Sequence, residues 1–269
     1  MTTLRLKTWP AVPLEAEAIT PDRFVGKTSA EIEALPVLYG NQKATLGDFF
    51  AVSGDGTPDI AIEGDLGRVK LIGAGMTKGQ ITVHGDAGMH LGAAMSGGRI
   101  EVHGNAGDWA GAEMRGGQIH IRGNAGHGLG GAYRGSPRGM NRGLIVVAGS
   151  AGNEVGSAMR RGAIVVGGDT GDFTGAFMIA GSILVFGNLG ERAGAGMKRG
   201  SIITYRTPKL LPTFRYACTY RPVFLRLLLR ELRSLGLEIA EERIEGRYRR
   251  YCGDLTALGK GEILAWEGP

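Results

Sequence analysis

One spacing limits what this chain can fold into: a glycine-rich pattern that returns every 19 residues. "GDAGMHLGAAMSGGRIEVHG" runs from Gly85 to Gly104 and "GNAGDWAGAEMRGGQIHIRG" from Gly104 to Gly123. Further copies open at Gly149, Gly168 and Gly187. A looser one opens at Gly64 with two extra residues, and one at Gly123 carries seven, read as Ser136–Arg142. That makes seven copies between Gly64 and Tyr205.

Each copy opens G-[DNS]-x-G, usually carries Met at offset 10, and has Gly at offsets 7 and 13. Offsets 15 and 17 are apolar: Ile81 and Val83, Ile100 and Val102, Ile119 and Ile121, Ile145 and Val147, Ile164 and Val166, Ile183 and Val185. Period-two apolarity is one face of a β-strand. A unit this short cannot bury that face alone, whereas stacked units can. The fold class expected is therefore all-β: a single-stranded β-helix, or solenoid, of about seven 19-residue rungs. At one strand spacing per rung the stack is about 30 Å long. Met76, Met95, Met114, Met159, Met178 and Met197 read as a stacked interior column, the gap-filling role of Met, rather than as a copper site. Asp86, Asn105, Asn124, Asp169 and Asn188 recur at a corner, where such side chains cap turns.

The repeat accounts for the 48 glycines in 269 residues; with only 10 prolines and no G-X-Y period, collagen is excluded. It also absorbs two phosphate-loop look-alikes, "GHGLGG" (Gly126–Gly131) and "GAGMKRG" (Gly194–Gly200), which lack the Gly-Lys-Ser/Thr of a Walker loop. Cys218 and Cys252 are too few for a metal or disulfide framework and read as buried thiols. Neither a signal peptide nor an apolar run long enough to span a membrane is evident, so a cytoplasmic location is expected.

Three segments are expected: an N-terminal α/β cap over 1–63, the Gly-rich β-helix over 64–205, and a C-terminal capping or interaction segment over 206–269. "TLRLKT" reads as a strand, "TSAE" (Thr28–Glu31) as a capping box before a short helix, and "LGDFFAVSG" (Leu46–Gly54) as strand and turn. "RPVFLRLLLRELRSLG" predicts a helix over about 222–235, with Phe224, Leu225, Leu228, Leu232 and Leu235 on its apolar face. "GRYRRYCGDL" and "GEILAWEG" read as paired closing strands. The outward strand positions are polar in early copies (Gln80, Thr82, His84, Arg99, Glu101, His103) and apolar later (Leu144, Val146, Val165, Leu184, Phe186, Ile203, Tyr205). Something must cover the later half, either that helix or another subunit.

No catalytic constellation is evident in the sequence. His84, His103 and His120 share the polar outer face, as surface histidines or as a metal site; the former is the expectation, and no metal is assigned. Basic residues do form a pattern. Offsets 11 and 12 supply Lys78, Arg115, Arg134, Arg160, Arg161, Lys198 and Arg199, and the inserted loop adds Arg138 and Arg142. Stacking aligns them along one edge, as a solvated rim, a track for an anion, or a contact for an acidic partner. With a net charge of +5 and few aromatics among these cations, nucleic acid is not expected.

The repeat G-[DN]-x-G…GA-x-M…G-x-I-x-V-x-G resembles that of the C subunit of the formylmethanofuran dehydrogenase family and of the C-terminal domain of the glutamate synthase large chain. The flank "ITPDRFVGKTSAEIEALPVLYGNQKATLGDFFAVSG" (Ile19–Gly54) resembles the former, and within it the bacterial formyltransferase/hydrolase complex is favoured over an archaeal-type dehydrogenase. The resemblance implies a non-catalytic subunit in one-carbon metabolism, specifically formaldehyde oxidation. Its partners would be an amidohydrolase-like subunit, a formyltransferase subunit and a further subunit. Together they would convert formyl-tetrahydromethanopterin to formate through a methanofuran-type carrier with an anionic glutamate tail. It transfers no catalytic residue to this chain. The alternatives are a glutamate synthase-type scaffold domain and a β-helical acyltransferase or carbohydrate-active enzyme. The six-residue sub-period of hexapeptide acyltransferases is absent.

Overall fold

The computed structural model describes residues 1–268. In chain order the N-terminal part holds β1 (Thr2–Leu6), β2 (Leu14–Glu15), α1 (Pro21–Phe24), α2 (Ser29–Glu33), β3 (Pro36–Tyr39), β4 (Gln42–Thr45), α3 (Leu46–Phe49), β5 (Phe50–Ser53) and β6 (Asp59–Glu63). The middle holds β7 (Val69–Lys70), β8 (Gln80–His84), β9 (Arg99–Val102), β10 (Gln118–Ile121), β11 (Leu144–Val147), β12 (Ala163–Val166), β13 (Ser182–Val185) and β14 (Arg199–Thr204). The C-terminal part holds β15 (Arg215–Tyr220), α4 (Val223–Ser234), α5 (Glu241–Glu245), β16 (Arg247–Gly253) and β17 (Lys260–Gly268). The chain is mostly strand: a 13-stranded sheet ordered β15-β16-β17-β14-β13-β12-β11-β10-β9-β8-β6-β1-β5, with a second, four-stranded sheet β4-β3-β2-β7.

From β8 to β14 every neighbouring pair is parallel and aligns identical repeat positions. Ile81, Ile100, Ile119, Ile145, Ile164, Ile183 and Ile202 thus form one column, and all are fully buried. Each such burial is worth about 1.5–3 kcal/mol relative to exposure. A second column of bridges joins Ala87, Ala106, Ala125, Ala151, Thr170 and Leu189. The methionines form a third column, wholly buried as expected. The parallel ladder runs past the repeat at both ends: β6 and β1 extend it before β8, and β17 extends it after β14.

Corners explain the glycines. Gly111 has φ +64°, and a Cβ there would stand 2.5 Å from Cδ1 of Ile145 in the next copy of the repeat. Trp109 (φ 63°) and Phe173 (φ 62°) also hold left-handed backbone, which costs energy for a bulky residue. From Asp86 to Asp169 the recurring corner residue, Asx or Ser150, links its copy to the next. Each accepts the backbone N–H of the following copy: Asn105 N–H donates to Asp86 Oδ1 (2.7 Å), Asn124 to Asn105 (2.8 Å), Ser150 to Asn124 (2.8 Å), Asp169 to Ser150 Oγ (3.0 Å) and Asn188 to Asp169 (2.6 Å). A second such ladder, through Asp108, His127, Asn153 and Asp172 to the N–H of Glu191, is not evident from the sequence pattern.

Several expectations need correction. The insertion is Tyr133–Gly139 rather than Ser136–Arg142: Ala132 and Gly139 N–H bond Ser157 and Ala158, and Asn141 N–H bonds Met114. Met140, fully buried, therefore fills the methionine column of that copy. Leu46–Phe49 is a helical turn, started by Thr45 N–H donating to Asp48 Oδ2 (2.8 Å), so only the second half of that segment is strand. Cys218 is exposed and Cys252 half-buried, because β15 and β16 lie at the sheet edge, beyond the core. On α4 the buried residues are Leu225, Leu229 and Leu232, while Phe224 and Leu235 are exposed. Spacing of four and three places only that stripe against the sheet.

The later apolar strip is covered from within the chain. Leu144, Val165, Leu184, Ile203 and Tyr205 pack with Leu225, Leu229 and Leu232 of α4 and with Ile239, Ile244, Tyr248 and Leu264. The capping box at Thr28–Glu31 and the antiparallel β16–β17 pair form as the sequence predicts. Among the described residues, no helix is long and apolar enough to cross a membrane.

Candidate functional site

Stacking fixes the basic edge. The backbone N–H of Arg115, Asn141, Arg160, Ile179 and Lys198 each bonds the methionine carbonyl of the copy before it, so this position repeats up one side of the stack. Arg142, Arg161 and Arg199 follow at the next position. Neutral residues interrupt the cations: Asn141 stands between Arg115 and Arg160, and Ile179 between Arg160 and Lys198. Within that first column the interleaved neutral residues space the cations two strand separations, about 10 Å, apart, whereas Arg142 and Arg161 at the next position lie in successive copies. Arg134 and Arg138 belong to the inserted loop, so Arg134 leaves the column where the spacing puts it, and Arg142 joins it.

Among the described residues, none of Lys78, Arg115, Arg134, Arg138, Arg142, Arg160, Arg161, Lys198 and Arg199 makes an ion pair. Lys78 lies in the field of Asp22, whose carboxylate accepts from Thr77 N–H at 2.8 Å. Arg160, Arg161, Lys198 and Arg199 line one pocket of about 260 Å³ together with Ile179, Ala180 and Leu258. Four cations beside apolar side chains suit an anion with a hydrocarbon stem.

The outer histidines divide. His84 Nδ1 lies 3.3 Å from His103 Nδ1, with the rings edge to face at 4.8 Å. His120 does not join them; its Nε2 is buried without a partner. Among the described residues, no cluster of three or more potential ligands could hold a metal ion. Glu101 organises this face, 2.5 Å from Arg122, 3.6 Å from His103 and 3.9 Å from Arg99. The hydrogen bond from Arg122 holds its carboxyl below the usual range, against the effect of burial. A separate aromatic group is formed by the inserted loop, and sequence spacing does not foretell it. Tyr133 packs on Trp109 at 5.3 Å and meets His90 Nδ1 at 2.9 Å. Burial pushes the Tyr133 hydroxyl up to about 12 and lowers His90.

A family model described as "GXGXG motif" matches residues 68–214, more than half of the chain and all the strands from β8 to β14. This chain belongs to the GXGXG family. Among relatives of the GXGXG chain is the C subunit of the tungsten-containing formylmethanofuran dehydrogenase 2 of Methanothermobacter marburgensis, 47% identical over 90 residues, 32% of this chain and 33% of that one. Another is the C subunit of the formyltransferase/hydrolase complex Fhc of Methylorubrum extorquens, 41% identical over 91 residues, 34% of each. These matched stretches span about a third of the curated relatives' length. Among solved structures, a chain of the formyltransferase/hydrolase complex (FhcABCD) of Methylorubrum extorquens, determined with methylofuran, superimposes with TM-score 0.92 at 40% identity over 98% of both chains.

Proposed function

We propose that this chain is the non-catalytic, structural C subunit of a formyltransferase/hydrolase complex of the formylmethanofuran dehydrogenase kind. The observation that carries the reading is the likeness at TM-score 0.92 over 98% of both chains to a member of such a complex. In this reading partner subunits perform the chemistry: an amidohydrolase-like subunit, a formyltransferase subunit and a further one. They act in the cytoplasm in formaldehyde oxidation, taking formyl-tetrahydromethanopterin to formate by way of a methanofuran-type carrier. The body of this subunit is a single-stranded β-helix of about seven 19-residue rungs over 64–205, closed by the segments 1–63 and 206–269. The 19-residue parallel register supports that architecture.

The basic edge is the surface we assign to the carrier's glutamate tail. Its support is nine cations without ion pairs among the described residues, four of them lining one pocket. Each exposed contact is worth only about 0.2–1 kcal/mol and is screened by salt, so the edge concentrates the tail rather than clamping it. Charge reversal of Arg138, Arg142, Arg160 and Arg161 together should raise the apparent KM for the carrier, most at low salt, with turnover at saturation nearly intact. Loss of partner subunits on gel filtration would assign the edge to subunit docking instead. An unchanged KM between about 20 mM and about 200 mM salt, with the complex intact, would reject both. Purification of the tagged chain from its host should recover the amidohydrolase-like and formyltransferase subunits. Isolation as a lone monomer that hydrolyses a formyl substrate would reject the structural role.

A further inference from the structure

A pocket of about 660 Å³ lies between the outer strand face and the segment that links α4 to α5. That volume is typical of small-molecule sites. Val146, Val165 and Phe186 line it from the strands, and Leu237 and Ile239 from the linker. Three polar groups in this lining are left without partners among the described residues: Glu238, which faces solvent, Arg243 and His120. The guanidinium of Arg243 sits 5.0 Å from the centre of the Phe186 ring and 4.8 Å from that of Tyr205, and makes no ion pair among the described residues. His120 Nε2 is buried with no hydrogen-bond partner. The other cation of the lining, Arg122, is already matched by Glu101 at 2.5 Å, and Glu238 is exposed. None of these residues belongs to the basic edge.

We propose that this pocket binds a small monocarboxylate with an apolar or aromatic body, its carboxylate on Arg243 and its body between the valines and Ile239, beside His120. The Arg243 guanidinium, held against the Phe186 and Tyr205 rings while the Glu238 carboxylate faces solvent, selects this ligand class. A neutral apolar guest would bury an unpaired guanidinium, which is costly. A dianion such as a phosphate monoester would bring a second charge for which the lining holds no free cation. A planar carboxylate matches the guanidinium fork through two parallel hydrogen bonds. Burial lowers the His120 pKa, so its imidazole adds no charge to the wall near pH 7.

The test uses the full-length chain with phenylacetate as probe and phenylacetamide as its neutral match. Calorimetry measures binding, and the His120 imidazole resonances report the place. Phenylacetate should bind saturably and shift those resonances, and phenylacetamide should bind at least about tenfold more weakly. Arg243→Gln should weaken phenylacetate by about tenfold or more, and Val146→Trp, which fills the pocket, should abolish binding. Absence of saturable binding overturns the proposal. So does equal affinity for the amide, or an Arg243→Gln chain that binds like the parent. If Val146→Trp does not fold, the amide comparison and Arg243→Gln still decide.

Discussion

Two glycines separate steric from conformational demand at the level of single residues. Gly75 has φ +68° with open space where a Cβ would go, whereas Gly111 has nearly the same φ and a Cβ that meets Ile145. Alanine at Gly75 should cost about 1–2 kcal/mol for left-handed backbone alone. Alanine at Gly111 should cost more, by about 1–3 kcal/mol of overpacking. Equal melting temperatures for the two variants would show that the corner yields freely. Ile119→Asp places an unpaired carboxylate in the fully buried isoleucine column and should cost several kcal/mol; a melting temperature within a couple of degrees of the parent would contradict the inward assignment. Protonation gives a separate handle. Burial lowers the pKa of His120, with Arg99 adding to the effect and Glu101 opposing it. Burial also lowers that of His90, with Lys70 adding and Glu15 and Asp108 opposing. The unfolded chain therefore takes up protons near the ordinary value of 6.5 while the folded chain does not. Stability from this source is present above that pH and is lost as pH falls toward the depressed folded values. Melting followed from about pH 7.5 to about pH 5.5 should decline, and the double variant His90→Gln, His120→Gln should flatten the decline. An unflattened curve would place the pH dependence elsewhere.

The secondary elements show which signals carry and which do not. The repeat strands are legible because inward and outward positions alternate without interruption, so Ile100 and Ile119 announce their column by spacing alone. The face of α4 is harder to read. Its apolar residues are so many that period alone does not choose between Phe224 and Leu229; the choice depends on the strip formed by Leu184 and Ile203, which is distant in sequence. Leu229→Ala should therefore cost about 2–5 kcal/mol, whereas Leu227→Ala, at an exposed position, should stay within about 0.5 kcal/mol. Comparable losses at both would mean that α4 packs on another face. Spacing misplaces the inserted loop for a related reason: Tyr133 occupies the methionine position by count, and only inter-rung hydrogen bonds reveal that Met140 takes it. Of the candidate site, the alignment of Arg115, Arg160 and Lys198 follows from the period, whereas the inserted loop takes Arg134 out of the column and brings Arg142 to it. The pocket beside His120 does not follow from the period, because one side of its wall, including Leu237, Ile239 and Arg243, comes from outside the repeat.

For the whole molecule, the 19-residue period is a geometric requirement that deletion tests directly. Removing residues 85–103 takes out one full period and joins His84 to Gly104, so β8 inherits β10 as its neighbour in register. That chain should melt in one transition a little below the parent, since each strand of the repeat pairs with those of the neighbouring copies. Removing residues 85–104 leaves a corner one residue short and should lower the melting temperature much further. Equal melting of the two would rule out a fixed rung length. The side-chain ladder beginning at Asp86 has a sense as well as a spacing: the acceptor lies in the earlier copy and the N–H donor in the later one. A ribosome delivers the acceptor first. Each copy that leaves the exit tunnel thus meets a carboxylate, amide or hydroxyl oxygen already held in place by its predecessor, and the molecule can be built in the order in which it is translated.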